Sequence, residues 1–244
     1  DAFSDYHIGS KAEKVGDFSS LNAESIIALN PDFAILTGAS SGRGGGVAQT
    51  DLKGTLQAAG IPVAYFNVTT FDDYLRMLKT CCDITGDVEA YKDNGTEVAE
   101  GIDAIKKKAE GKSAGSVAVL TTYSGGTRVQ ASSTQTGTML AELGASNITD
   151  ADKSLLSDYS LESLVKADPD FIFLLPMGDS SEAAQKALKD QTTANPAWKE
   201  LTAVKEGRVI TLDPKLFLYK PNDNWDDAYE ELYEALYETP REQK

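Results

Sequence analysis

A single histidine, two cysteines, few basic residues and no long apolar run bound what this 244-residue chain can be. His7 stands alone, so a Ser-His-Asp triad would have to use it, and a catalytic zinc normally recruits more than one imidazole. It reads as an ordinary surface residue in an irregular N-terminal stretch. Cys81 and Cys82 are adjacent, and a disulfide between neighbours closes a strained ring, so two free, partly buried thiols are expected. They leave the redox compartment open. No apolar stretch approaches the roughly 18 residues of a membrane span, and Asp1-Ala2-Phe3-Ser4-Asp5 lacks the basic end and apolar stretch of a signal peptide. Lysine and arginine number 23 against 38 acidic residues, a net charge of -15, which argues against a nucleic-acid partner because phosphate binding needs a basic face.

What the chain has is enough apolar content, 41%, for one large domain or two lobes, and an internal repeat. Glu24-Ser25 through Pro31-Asp32-Phe33 to Leu36 returns as Glu162-Ser163 through Pro169-Asp170-Phe171 to Leu174, at a constant offset of 138 residues. Each copy runs a short amphipathic helix into Pro-Asp and then an apolar strand of parallel character. The pattern predicts two similar α/β lobes, Rossmann-like, with parallel sheets.

The first lobe, residues 1–86, is expected to hold helices at 22–29, 50–59 and 71–84 and strands at 33–37 and 63–68. Two strands make a meagre sheet, so this lobe reads as lacking its first strand and helix. Residues 87–112 carry apolar positions Val88, Tyr91, Val98, Ile102 and Ile105 and end in Lys106-Lys107-Lys108, which suits a helix C-terminus. They predict one linker helix about 30 Å long, stiff enough to keep lobe movements small. The second lobe, residues 113–244, is expected to hold strands at 116–121, 171–175 and 208–212 and helices at 136–143, 161–167, 181–189 and 225–237. The acidic stretch 223–238 bears an apolar stripe, Tyr229, Leu232, Tyr233, Leu236 and Tyr237, that suits core packing.

The segment Thr37-Gly38-Ala39-Ser40-Ser41-Gly42-Arg43-Gly44 resembles the nucleotide-binding turn of short-chain dehydrogenases. That family also places a lysine four residues after a tyrosine, an order and spacing this chain does not have. A flexible, ligand-facing loop is the better reading. Asp72-Asp73 and Asp226-Asp227 read as helix-start residues favoured by the dipole. The remaining chemistry lies in loops leaving strand C-terminal ends, where α/β sheets bind ligands: Arg43, the stretch Tyr123 to Arg128, and the stretch Leu216 to Trp225. Guanidinium forks beside tyrosine and tryptophan faces suit a planar or aromatic anion.

Taken together, these residues resemble the single-helix-linked substrate-binding proteins of ABC importers for iron-siderophores, haem and cobalamin. The resemblance rests on the two Glu to Pro-Asp phrases, Ala59-Gly60-Ile61-Pro62-Val63, Asp83-Ile84-Thr85-Gly86, Gly144-Ala145-Ser146-Asn147, Asn195-Pro196-Ala197-Trp198 and Lys220-Pro221-Asn222 before Trp225. It implies extracytoplasmic capture of a metal chelate, without catalysis or a resident cofactor, and delivery to a membrane permease. It also implies a monomer held at the membrane, as a lipoprotein, only through an N-terminal anchor outside this sequence. A ferric siderophore would meet Arg43, Arg128, Lys215 or Lys220 for charge, Tyr123, Tyr219 or Trp225 for packing, and Asn222. Haem would take Tyr123 as axial donor, and cobalamin would rest on aromatics and hydrogen bonds. Asp51 and Glu182 are the positions for permease contact. The branch that ligates bare manganese or zinc uses several histidines, which argues against it here. Two other classes stay open: an NADP-dependent oxidoreductase using the glycine-rich loop, and a ligand-free adhesion or sensor module.

Overall fold

The computed structural model describes residues 12–17, 20–38, 48–123, 126–157, 159–177 and 194–238. The chain divides into two compact units, residues 1–68 and 69–244.

In the first unit a short antiparallel pair, β1 (Gly16–Asp17) and β2 (Ser20–Leu21), leads to helix α1 (Ala23–Ala28). Asn22 caps that helix by accepting the Ser25 N–H at 3.0 Å. Strand β3 (Ala34–Thr37) follows, then a 3₁₀ turn, helix α2 (Lys53–Ala58) and strand β4 (Val63–Phe66). β3 and β4 are parallel, with Ala34 opposite Val63 and Thr37 opposite Phe66. Ala34, Leu36 and Val63 pack on Ile26, Leu56 and Ile61, which form this unit's small core. The alternating residues Phe33 and Ile35 point the other way and are 43% and 42% exposed.

The second unit begins with α3 (Phe71–Thr85), started by a reciprocal capping box between Thr70 and Asp73 and stopped by Gly86 at φ 76°. The expected linker helix is then one helical path in three stretches: α4 (Val88–Tyr91), a π-helical segment Lys92–Thr96, and α5 (Glu97–Ala109). Gly95 sits inside the π segment, where a Cβ would come within 3.1 Å of Leu78 and 3.2 Å of Leu75. The absent side chain therefore allows the close approach of α3.

A five-stranded sheet forms the body of this unit, with residues 126–129, 115–123, 171–176 and 209–211 side by side in that order and 145–147 also paired with 115–123. β5 (Gly115–Tyr123) and β8 (Phe171–Pro176) are its parallel centre, with Val117 opposite Phe171 and Thr122 opposite Pro176. β7 (Ala145–Asn147) and β9 (Val209–Thr211) add parallel neighbours. β6 (Gly126–Val129) is antiparallel to β5. Residues 126–128 were expected within a loop; they open β6 instead, with Gly126 at φ 142° and Thr127 and Val129 on the buried face. The strand Ala145–Asn147 was not expected, being too short to show periodicity. Helix α6 (Gln135–Glu142) and helix α7 (Leu161–Ala167) lie where the sequence placed them, while the expected helix at 181–189 is outside the described residues.

Helix α8 (Trp225–Tyr233), continued by a π segment Glu234–Glu238, lies along α5. Its apolar stripe is core, as expected: Tyr229, Leu232, Tyr233 and Leu236 are all buried. Lysines at the end of α5 clasp it. Lys106 pairs with Glu142, which also accepts the Tyr229 hydroxyl at 2.7 Å; Lys108 pairs with Glu230 at 2.9 Å. Lys112 donates to the Tyr233 hydroxyl at 2.7 Å and sits 4.9 Å from the ring centres of both Tyr233 and Tyr237.

The repeat extends to the backbone. Asn30 and Asp168, at matching places before the prolines, are both left-handed, at φ 47° and 39°, a region asparagine and aspartate tolerate. In the second copy Asp170 accepts the Ser116 N–H at 2.7 Å and its hydroxyl at 2.8 Å, and Ser116 Oγ accepts the Asp170 N–H at 3.1 Å. This clasp joins the starts of β8 and β5. Gly115 beside it has φ 94°, and a Cβ there would fall 2.5 Å from Asp170 Oδ2. Asp32, the first-copy counterpart, is exposed.

Candidate functional site

The C-terminal edge of the five-stranded sheet gathers the polar and aromatic side chains that the fold does not use as core. β5 ends in Tyr123, and Arg128 stands on the neighbouring strand opposite Thr121, two residues along the same face. The diagonal brings the Arg128 guanidinium 5.1 Å from the Tyr123 ring centre. Arg128 is exposed and Tyr123 partly so, and among the described residues the Tyr123 hydroxyl has no hydrogen-bond partner.

Hydrogen bonds tie Thr121, the residue opposite Arg128, to the start of α6, and the start of α6 to the next loop. Gln130 Nε2 donates to Thr121 Oγ1 at 2.7 Å, and Gln130 Oε1 accepts the Thr134 hydroxyl at 2.9 Å. Thr134 caps α6, and the first two residues of that helix hold the loop that follows β9. Gln135 Nε2 donates to the Leu216 carbonyl at 2.8 Å, and the Thr136 hydroxyl donates to the Phe217 carbonyl at 2.7 Å. Lys220 on the same loop donates from Nζ to Gln135 Oε1 at 3.4 Å. Burial of the Lys220 ammonium lowers its pKa from the ordinary lysine value, and the charge of Asp73 works the other way. Burial by itself would raise the Asp73 carboxyl, but bonds from Thr69 and Thr70 outweigh it and leave it below the usual range. The edge thus presents a guanidinium on an aromatic face and, on an exposed lysine, an ammonium that meets Gln135, a pairing suited to an anion with flat or apolar parts.

Of the residues expected from sequence, Tyr123, Arg128 and Lys220 belong to this edge. Lys215 and Tyr219 are on its loop, both exposed, Tyr219 at 50%. Asn222 follows Lys220 and adopts φ 54° in the bend before α8. Trp225 corrects the expectation: it is 1% exposed, packed at 5.9 Å edge-to-face on Phe71, and offers no ring face for stacking. It begins α8 on the side that meets the core. Arg43 and Glu182 lie outside the described residues, as do His7 and the glycine-rich loop beyond Gly38. Asp51 is exposed in the first turn of the 3₁₀ segment Gln49–Leu52. Gln130, Thr134 and Gln135 were not singled out from sequence, although a threonine directly before a helical run is a legible cap. Among the described residues no cluster of His, Cys, Asp or Glu fits a metal ion, and no helix is long and apolar enough to cross a membrane.

Comparison with known proteins places this arrangement. The profile of a family described as periplasmic binding protein matches residues 4–216, and the chain belongs to that family. An Fe(3+)-citrate-binding protein of Bacillus subtilis (strain 168), YfmC, is 34% identical over 86 residues, 35% of this chain and only 25% of that protein's length. An ABC transporter substrate-binding protein from Listeria monocytogenes EGD-e matches with TM-score 0.73 and 22% identity, covering 94% of this chain and 86% of the other. IsdE of S. aureus, solved in complex with heme, matches with TM-score 0.74 and 18% identity over 93% and 85%. The mixed α/β fold with mainly parallel sheets is the one these structures share.

Proposed function

We propose that this protein is the substrate-binding component of an ABC importer, working outside the cytoplasm and capturing an anionic ferric chelate of the siderophore or ferric-citrate kind. The observation that carries the ligand class is the Arg128–Tyr123 pair at 5.1 Å, set on the same sheet edge as the Lys220 ammonium. Family membership and the ferric-citrate-binding relative support the same reading. Binding needs no catalytic group: the site holds charge and aromatic surface and releases its cargo to a membrane permease. Asp51, exposed at a helical start, is a position for meeting permease arginines, with Glu182 as its counterpart in the second unit. The protein needs no resident cofactor in this role.

Haem is the second reading, favoured by the Tyr123 hydroxyl at the end of β5, which has no hydrogen-bond partner among the described residues and has the chemistry of an axial donor. Titration of the tryptophan fluorescence with ferric citrate, ferric catecholates, ferric hydroxamates, haemin and cobalamin tests both. Saturable quenching by anionic ferric chelates, weakened by Arg128→Ala, is the expected result. Quenching by haemin alone, with a charge-transfer band lost in Tyr123→Phe, would replace the first reading with the second. No response to any of the panel would refute both.

A further inference from the structure

We infer that Tyr123 is a positioning residue whose ring holds the Arg128 guanidinium ready for a carboxylate, so that the ferric chelates this site prefers are those carrying free carboxylates. The inference rests on the ferric-chelate reading. Three arginines are among the described residues, and the fold takes up two of them. Arg76 pairs with Asp73, while Arg208 pairs with Glu206 and lies over the Phe171 ring. Arg128 is the exception. Although the chain has 38 acidic residues, among the described ones Arg128 has neither an ion pair nor a protein acceptor for its N–H groups. It is the one exposed residue of β6, whose other three are buried. Its cross-strand neighbour Thr121 is 4% exposed, with its hydroxyl oxygen engaged by Gln130 Nε2 at 2.7 Å. What holds Arg128 is the Tyr123 ring, its centre 5.1 Å from the guanidinium carbon. An aromatic face attracts the cation without supplying the oxygen acceptors of a carboxylate, so the charge is restrained while its fork of donors stays open. A free carboxylate fits that fork with two parallel bonds, whereas the charged oxygens of a ferric catecholate are already bound to the iron. The same contact occupies a face of the Tyr123 ring, which an aromatic chelate would otherwise stack on. The Tyr123 hydroxyl has no part in this hold.

The test titrates ferric citrate and an anionic ferric tris-catecholate without carboxylates against the parent protein, Tyr123→Leu, Tyr123→Phe and Arg128→Lys. The parent is expected to bind ferric citrate about ten-fold more tightly than the catecholate. Tyr123→Leu and Arg128→Lys should each weaken ferric citrate about ten-fold and abolish that preference, the second because lysine keeps the charge and loses the fork. Tyr123→Phe should restore the parent affinity, since it keeps the ring. Side-chain nitrogen–proton NMR of Arg128, assigned by its loss in Arg128→Lys, gives a readout that needs no ligand. The ring-current shift of its Nε proton should vanish in Tyr123→Leu and remain in Tyr123→Phe. A parent preference for the catecholate, equal losses for both chelates, or a Tyr123→Phe variant as weak as Tyr123→Leu would overturn the inference. So would an Arg128→Lys variant as tight as the parent, or an Arg128 signal indifferent to the ring. A parent protein that binds neither chelate while that signal follows the ring would sink the ferric-chelate reading, and the chelate preference with it, and leave the hold of Tyr123 on Arg128 standing.

Discussion

Phe33 and Phe171 stand 138 residues apart at the same point of a repeated phrase, and one is 43% exposed while the other is 3% exposed. Two residues further on the contrast recurs, with Ile35 at 42% and Phe173 at 0%. Local sequence and backbone are alike in the two copies; what differs is the cover. β8 lies between β5 and β9, while β3 pairs with β4.

The repeat should therefore be energetically lopsided. Phe173→Ala is expected to cost about 3–5 kcal/mol, the range for emptying a core aromatic site. Ile35→Ala should stay within about 0.5 kcal/mol. Urea denaturation of the two variants, followed by circular dichroism, checks the difference; equal losses would contradict the exposure of the first copy.

Asp170 makes three hydrogen bonds with Ser116, two of them from a backbone N–H and a hydroxyl to its carboxylate. Asp170→Ala should lower stability by about 2–3 kcal/mol, because it leaves the Ser116 donors without their charged acceptor. Gly115→Ala should also be costly, since it combines φ 94° with a 2.5 Å approach to that carboxylate. Asp32→Ala should change the midpoint little.

Trp225 is core, and its Nε1 is buried without a partner. Trp225→Phe is expected to keep chelate affinity within about two-fold while lowering stability by about 1–3 kcal/mol through lost volume. A large loss of affinity with unchanged stability would return this residue to the ligand site.

Glu231 has its pKa raised by burial first, then by Asp213 and Glu234. A carboxyl raised in the folded state holds its proton more readily there than in the unfolded chain. Its contribution is fully present below the unfolded value and is lost as pH rises through the folded one. Glu231→Gln should accordingly raise the melting temperature slightly at pH 7 and lose that gain at about pH 4 and below. Thermal melts across that range check it.

The helices were the most legible part of the chain. Ser160 as cap and Pro169 beyond the end fix α7 to the residue, and Gly86 stops α3 close to where composition placed it. β6 escaped because Gly125-Gly126-Thr127-Arg128 reads as a turn in sequence, and only pairing with β5 makes Gly126–Val129 a strand. The Tyr123 to Arg128 stretch was nonetheless recognisable as a site, since an aromatic and a guanidinium stood at a strand end. Trp225 was misread because spacing cannot say which side of a helix start faces the core until the neighbouring α3 brings Phe71 against it. Gln135 carried no signal of its own, for its role appears only when residues 81 and 85 positions away fold back onto it.

The lysine clasp on α8 has a consequence for how the molecule is made. Lys108 meets Glu230 across 122 residues and Lys112 meets Tyr233 across 121. A nascent chain exposes those lysines long before their tyrosine and glutamate partners emerge, so this seam closes late, after the strands between have been synthesised. Translation order thus makes the α5–α8 seam the closing step of assembly in the larger unit, and the place where a stalled chain stays open.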